Sequence, residues 1–416
     1  MDVTVILIIL AATFGFYMAW NIGANDVANA MGTSVGARSI TFKQAIIIAA
    51  VFEFSGAILV GNHVSLTIAK GIVNPYEYSS NAMVFAYGML STLFAAALWV
   101  NLATKLGMPV STTHSIVGGV IGFGIVSHGF SSIEWTKLIT IVASWVVSPI
   151  SGGIISFIIF VFISKFILAN EKPVVAAKKY APFLAFMVSI VLVFSMLYKG
   201  LKNLHLNLSF SYALLIAIGV GIAFAIVIFI IVSKIPVDTT LPYKRRYPQV
   251  ERVFAILQVI TASYMAFSHG ANDVANAVGP LMGAVYANAL VNSQQVAMPL
   301  WVLSVGAVGI VVGLSMYGYK VILVVGRKIT DMTPSRGFAA EFGAATTVLV
   351  CSKMGLPIST THTLIGAVIG VGLARGIDAL NTKVLKDVVL SWLLTIPIAA
   401  ILAGGIFIAL KGLFSL

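Results

Sequence analysis

The sequence predicts an all-α polytopic membrane protein made of two inverted-topology repeats, with broken helices or re-entrant hairpins and about 12 membrane segments. Three observations predict it. Hydrophobic residues make up 59% of the 416-residue chain and charged residues only 9%, whereas an average soluble domain has about 25% charged residues. Apolar runs near the ~20 residues that span a bilayer recur without the alternation expected of a β-barrel strand. One phrase occurs twice, letter for letter: Gly23-Ala24-Asn25-Asp26-Val27-Ala28-Asn29-Ala30 returns as Gly270-Ala271-Asn272-Asp273-Val274-Ala275-Asn276-Ala277, at an offset of 247 residues.

Loop charge orders the elements. With the N-terminus outside, the run 3–20 crosses inward. Met1-Asp2-Val3-Thr4 has no basic n-region, so a retained helix is expected rather than a cleaved signal peptide. Arg38 and Lys43 then lie inside, 45–61 returns outward, and 69–80 is external. The stretch 82–126 contains the polar break Pro109-Val110-Ser111-Thr112-Thr113-His114 and is either a full crossing or a re-entrant hairpin. The loop 127–135 carries Glu134 and no basic residue, which suits the outside, and 138–168 runs inward to Lys172, Lys178 and Lys179.

Two plain spans, 181–198 and 211–233, return the chain to the inside at Lys244-Arg245-Arg246. The second half thus starts from the opposite side. Span 251–268 leads to the second Asn-Asp phrase, the loop 280–299 has no charge, and 298–325 runs inward to Arg327, Lys328 and Arg336. The stretch 338–374 holds a second break, Pro357-Ile358-Ser359-Thr360-Thr361-His362, with the same full-crossing or hairpin choice. Arg375, Lys383 and Lys386 are placed inside, and 388–410 ends outside. Lys199 and Lys202 are the exception to the charge rule, since this topology puts them outside. The expected organisation is a first repeat over 1–169, two linking transmembrane helices and a cytoplasmic loop over 170–250, and a second repeat over 251–416.

The net charge of +12 sits mostly in short loops between spans, the pattern of a positive-inside face rather than of a nucleic-acid-binding surface. The lone Cys351 excludes an intramolecular disulfide and a cysteine metal cluster.

An aspartate at a membrane helix centre costs roughly 2.5–3.5 kcal/mol on insertion scales. Asp26 and Asp273 sit beside glycines and asparagines, which favour unwound or kinked helix with free carbonyls. Carbonyls, the amides of Asn29 and Asn276 and a carboxylate make an oxygen cage for a hard cation. Na⁺ fits best, with a protonated carboxyl as the rival; a helix-packing motif of small residues is the plain alternative. In the second phrase, Ser111, Thr112 and Thr113 open a helix after a proline, leaving backbone N–H groups and a positive dipole end at an intramembrane break. Ser359, Thr360 and Thr361 repeat this from the other half. Two opposed helix starts suit a tetrahedral oxyanion; simple capping of a kinked helix is the alternative.

Other polar residues are less decided. Glu53 lies among apolar neighbours inside its span, where a merely structural role is disfavoured. Glu341 faces water or the interior. Gln258 is a packing amide or a substrate donor. His114 and His362 read as histidines hydrogen-bonded within the bundle, because no acidic residue stands nearby in sequence to complete a triad. Without a Gly-rich lysine loop or a metal-ligand histidine pair, an enzyme acting on phosphate esters is disfavoured, and an anion channel is a further rival.

The paired Gly-Ala-Asn-Asp-Val-Ala-Asn-Ala and Pro-(Val/Ile)-Ser-Thr-Thr-His phrases resemble those of the inorganic phosphate transporter (PiT) family, in order and over nearly the whole chain. The resemblance implies co-transport of inorganic phosphate with a cation. Gly-Ala-Asn-Asp at 23–26 and 270–273 is similar to the Na⁺-coupled branch; a proton-coupled phosphate or metal-phosphate symporter is the alternative. The resemblance also implies functional acids at Glu53 and Glu341, and homodimeric assembly. The short segment 233–250 between the halves differs from the long cytoplasmic loop of many eukaryotic members. The expected site follows. Ser111, Thr112, Thr113, Ser359, Thr360 and Thr361, with Asn25, Asn272 and Gln258, bind phosphate. Asp26, Asn29, Asp273, Asn276, Glu53 and Glu341 bind Na⁺. No cofactor beyond the coupling ion and no catalytic residue are expected, and the setting is the bilayer of the cell (plasma or inner) membrane.

Overall fold

A computed structural model describes residues 3–106, 108, 110–197, 208–237, 243–292, 294, 296–328, 332–376 and 382–414. Gly107, Pro109, Lys199 and Lys202 lie outside these, as does residue 198, the last of the span 181–198. Among the described residues the regular structure is helical apart from one isolated bridge between Val73 and Ile133.

The first half begins with α1 (Val3–Gly36), followed by α2 (Phe42–Val60) and α3 (Asn62–Lys70). A capping box starts α2: Thr41 Oγ1 accepts from Gln44 N, and Gln44 Oε1 accepts from Thr41 N at 2.8 Å. Then come α4 (Ala82–Lys105), α5 (Thr112–His128) and α6 (Trp135–Ile163), with α6 prolonged by a wide turn through Ser164–Leu168. Two linking helices follow, α7 (Pro173–Leu197) and α8 (Phe210–Ser233), packed on each other. The second half comprises α9 (Tyr243–Asp273), α10 (Ala275–Val285), α11 (Ala287–Val291), α12 (Leu300–Lys328), α13 (Pro334–Lys353), α14 (Thr360–Arg375) and α15 (Thr382–Phe414).

Eight of the helical segments are long and apolar enough to cross a bilayer. The shorter apolar part of α12 and the helices α5, α13 and α14 complete the set of segments expected from the sequence. Large apolar side chains point outward along whole helices, as Ile139, Val146, Ile150 and Ile154 do on α6 and Leu215, Ile222 and Phe229 do on α8, while Asp26, Glu53, Asp273 and Glu341 are buried. This inverted distribution is that of a protein solvated by lipid.

The stretch 82–126 is a helical hairpin. Gly88 faces Phe123 and Gly119 faces Thr92, so α4 and α5 run antiparallel from a tip at Ser111. At 17 residues, α5 is about 26 Å long, short of the ~30 Å hydrocarbon core. The pair α13–α14 packs in the same way around Ser359. Both tips are buried: Ser111 through Ser115 and Ser359 through Thr363 are enclosed by protein.

The halves are laced together by repeated contacts. Helix α1 packs along α12, and its sequence counterpart α9 packs along α2, while α10 lies on α3. Likewise α5 packs on α15 and α14 on α6. The two phrase glycines permit two of the close approaches. A side-chain carbon on Gly23 would overlap the carbonyl of Ile310, and one on Gly270 would overlap the carbonyl of Glu53.

One expectation from the sequence needs correction. The Asn-Asp phrase does not unwind its helix in the first half: α1 is continuous from Val3 to Gly36. In the second half there is one interruption, at Val274, where Ala277 N–H turns to the Val274 carbonyl at 3.1 Å. The physical difference is Pro280 in α10, which has no N–H to offer the Asn276 carbonyl. Ala-rich α1 meets no such break, so its glycine and asparagines are absorbed into regular helix.

Candidate functional site: a sealed polar centre between two helix starts

Ser111 is the N-cap of α5 and Ser359 that of α14. Each has an extended backbone, and each accepts from the histidine three residues on, at 3.1 Å for His114 N and 3.2 Å for His362 N. The helix starts aim at the Asn-Asp phrases. Thr112 Oγ1 donates to Asp26 Oδ2 at 2.9 Å, and Thr360 Oγ1 donates to Asp273 Oδ2 at 2.8 Å. The same contact is thus made twice, once in each half.

The asparagines cross between halves. Asn29 Nδ2 donates to Asp26 Oδ1 at 2.9 Å and to Thr361 Oγ1 at 2.7 Å. Asn276 Nδ2 donates to Thr112 Oγ1 and Thr113 Oγ1, both at 3.1 Å. Thr113 Oγ1 reaches the Ile358 carbonyl of the other hairpin tip at 2.9 Å. One cluster therefore gathers Asp26, Asn29, Asp273, Asn276, Thr112, Thr113, Thr360 and Thr361, with Ser111 and Ser359 capping the two helices behind it.

Asn25 and Asn272 point to the hairpin walls rather than to these hydroxyls. Asn25 Nδ2 donates to Thr104 Oγ1 at 2.6 Å, and Asn272 Nδ2 donates to Ser352 Oγ at 2.9 Å. Gln258 stands apart with Glu341: its Nε2 donates to Glu341 Oε1 at 3.2 Å, and its Oε1 accepts from Ser39 Oγ. Glu341 also accepts from Thr33 Oγ1, from Ser34 Oγ at 2.6 Å and from Thr261 Oγ1 at 2.6 Å. A carboxylate held by donors from α1 and α9 is a second polar centre, built where the first half has apolar Leu93 at the matching position.

Sequence reasoning missed one member. His269 lies between Glu53 and Asp273, with Nδ1 3.2 Å from Glu53 Oε1 and Nε2 3.0 Å from Asp273 Oδ2. The signal was present: His269 stands four residues before Asp273 on a helix, hence on the same face. In the first half Ile22 stands four residues before Asp26, and Ile310 lies against Gly23 as Glu53 lies against Gly270, so that half supplies no histidine or glutamate of its own there. Ligand atoms of Asp26, His269 and Asp273 all lie within 4.8 Å of one another. Buried Asp273 Oδ1 and Asn276 Oδ1 have no hydrogen-bond partner among the described residues. With the threonine hydroxyls they form a set of hard oxygen donors of the kind that suits an alkali or alkaline-earth ion.

Behind the threonines the two histidines meet. His114 and His362 stand edge to face with ring centroids 4.5 Å apart, flanked by Trp145 at 3.9 Å and Trp392 at 3.4 Å. Trp145 Nε1 donates to the Pro357 carbonyl at 2.9 Å. The histidines thus belong to the seam between the hairpins. None of the residues expected to form the site is more than 4% exposed.

A closed polar centre with two capped helix starts, sunk among membrane-length helices, defines a membrane transport protein rather than an enzyme. The chain belongs to the phosphate transporter family, which matches residues 22–403. It is 47% identical over 410 residues, 97% of this chain and 96% of the other, to a protein of Pyrococcus furiosus provisionally named a phosphate permease. A Haemophilus influenzae protein given the same provisional name is 46% identical over 414 residues, 98% of each chain. A solved structure titled as the sodium-dependent phosphate transporter superposes with a TM-score of 0.90 at 43% identity, covering 97% of this chain and 99% of that one.

Proposed function

We propose that the protein is a Na⁺-coupled inorganic phosphate symporter of the cell membrane, working as a homodimer by alternating access between two inverted repeats, 1–169 and 251–416. The observation that carries this reading is the doubled contact of Thr112 with Asp26 and Thr360 with Asp273. It sets each anion-attracting helix start against a carboxylate, an arrangement that repels an anion until a cation is present. In this reading Na⁺ binds Asp26, Asn29, Asp273 and Asn276, with Glu53 and Glu341 as supporting acids. The Ser and Thr hydroxyls and free N–H groups of the helix starts bind phosphate, Asn25 and Asn272 support them from the hairpin walls, and Gln258 acts through Glu341. Bound Na⁺ offsets both the aspartates and the incoming anion, so the loaded centre is nearly neutral and can move, whereas an empty or half-loaded one keeps buried charge. With two Na⁺ per monovalent phosphate, the membrane potential adds about 2.3 kcal/mol per 100 mV to the drive.

One observation favours a proton-coupled alternative: His269 sits 3.2 Å from Glu53 and 3.0 Å from Asp273, a row of titratable groups with the makings of a proton path. Uptake of labelled phosphate into proteoliposomes separates the two. An inward Na⁺ gradient without a pH gradient is expected to drive uptake, and choline in its place with a pH gradient is expected not to. The reverse result overturns Na⁺ coupling.

A further inference from the structure

A second polar cavity lies one side chain away from the central cluster. It has a volume of about 230 Å³ and runs between α1 and α4, lined by Tyr17, Trp20, Asn21, Asn101, Thr104 and Lys105. Its inner wall is Thr104, whose hydroxyl accepts the Asn25 amide at 2.6 Å, and Asn25 adjoins Asp26 in the chain. Asn101 Nδ2 donates to Asn21 Oδ1 at 3.0 Å across the cavity. Lys105 is exposed at its mouth with no carboxylate partner among the described residues.

The opposite half makes the comparison informative. The residues at matching positions are Tyr264, Phe267, Ser268, Leu349, Ser352 and Lys353. Asn272 meets Ser352 there as Asn25 meets Thr104 here. Yet Trp20 and Asn101 are replaced by Phe267 and Leu349, and Tyr264, Ser268, Leu349 and Ser352 are fully buried. One flank of the centre is thus a polar hollow, and its counterpart, less polar by the exchange of Asn101 for Leu349, is packed shut. A polar hollow with a cation at its mouth is costly in a lipid-embedded protein unless something hydrophilic passes through it.

Building on the symport reading, we propose that this cavity is a transit subsite for a small oxyanion, which pauses on the Lys105 ammonium and the Asn101 amide before passing the Asn25–Thr104 contact into or out of the centre. Lys105 supplies attraction, and the Asn25–Thr104 hydrogen bond is the gate. The flank of the other half, packed by Phe267 and Leu349 where this one has Trp20 and Asn101, serves as the closed side.

The test has two arms. In proteoliposomes, Lys105→Gln and Asn101→Leu, the latter copying the filled flank, are expected to raise the phosphate KM about tenfold through the lost local charge and donor, with half-saturation by Na⁺ unchanged. Lys105→Arg should restore most of the affinity. Wild-type KM in both K105Q and N101L overturns the proposal. In the second arm Asn101→Cys, on a Cys351→Ser background, is treated with a charged, membrane-impermeant thiosulfonate present on both sides. Modification that inorganic phosphate slows at least severalfold is expected. Modification only by reagents that partition into lipid, or at a rate indifferent to phosphate, overturns the proposal. Failure of the symport reading shows separately: wild-type uptake that ignores Na⁺ sinks the coupling, while protection of N101C by phosphate alone still reports on the cavity.

Discussion

Asn29 Nδ2 lies 2.7 Å from Thr361 Oγ1, a hydrogen bond between residues 332 positions apart in sequence. Each Asn-Asp phrase is thus completed by the other half's helix start, and neither half makes the polar centre alone.

Asp26→Ala and Asp273→Ala should each reduce Na⁺-driven phosphate uptake at least about a hundredfold, because a carboxylate hydrogen-bonded by threonine is worth about 1.5–3 kcal/mol per bond before its charge toward a cation is counted. Both variants should remain folded by size-exclusion chromatography. Normal uptake by both would remove the cation role.

Thr112→Val and Thr360→Val keep shape but lose the donor. Each should raise the phosphate KM about tenfold, in line with a loss of about 1.5 kcal/mol, and the Ser variants should stay within a few-fold of wild type. Titrating phosphate at saturating Na⁺ measures this. Unchanged KM in both Val variants would remove these hydroxyls from phosphate binding.

Glu341→Gln tests the second polar centre. An amide cannot accept all the donors that converge on the carboxylate from Thr33, Ser34, Gln258 and Thr261. Each unsatisfied group costs about 1–3 kcal/mol. Thermal unfolding in detergent should therefore shift down, and half-saturation by Na⁺ should rise severalfold. A variant equal to wild type in both readouts would leave Glu341 without a role.

Gly23→Val and Gly270→Val should destabilise the fold by about 1–3 kcal/mol, the usual range for overpacking, since each side chain would meet the carbonyl of a crossing helix. Thermal shift assays read this directly. Ala substitutions at the exposed Gly405 and Gly412, which have open space, should leave stability unchanged.

His269→Gln separates the coupling readings at the residue level. It keeps two hydrogen-bonding ends but cannot carry a proton between Glu53 and Asp273. Na⁺-driven uptake should persist at a lower rate. Loss of a pH-driven component, with no Na⁺-driven component left, would favour proton coupling.

The duplicated phrases were legible in the sequence because they recur at nearly the same offset, 247 and 248 residues, and they located both helix starts and both carboxylates. The hairpin form of 82–126 was not legible: α4 and α5 are each apolar and packed against each other, so hydropathy alone does not separate a crossing from a return. The regular helix through Gly23–Ala30 was misread because composition does not show that α1 is braced by α12 along that stretch. Partners such as Thr33, Ser34 and Thr261 carry no motif; α1 and α9 bring them to Glu341 only once the fold is formed. His269 was within reach of helical spacing, but its partner Glu53 belongs to the other half and was placed beside it by the close approach of α2 and α9.

The ring seam of Trp145, His114, His362 and Trp392 has a practical corollary. Indole emission is sensitive to a stacked imidazole, and here two indoles report on one junction. Any rearrangement that parts the tips alters their quantum yield without a foreign dye, so stopped-flow fluorimetry can time the opening of the centre in the native polypeptide.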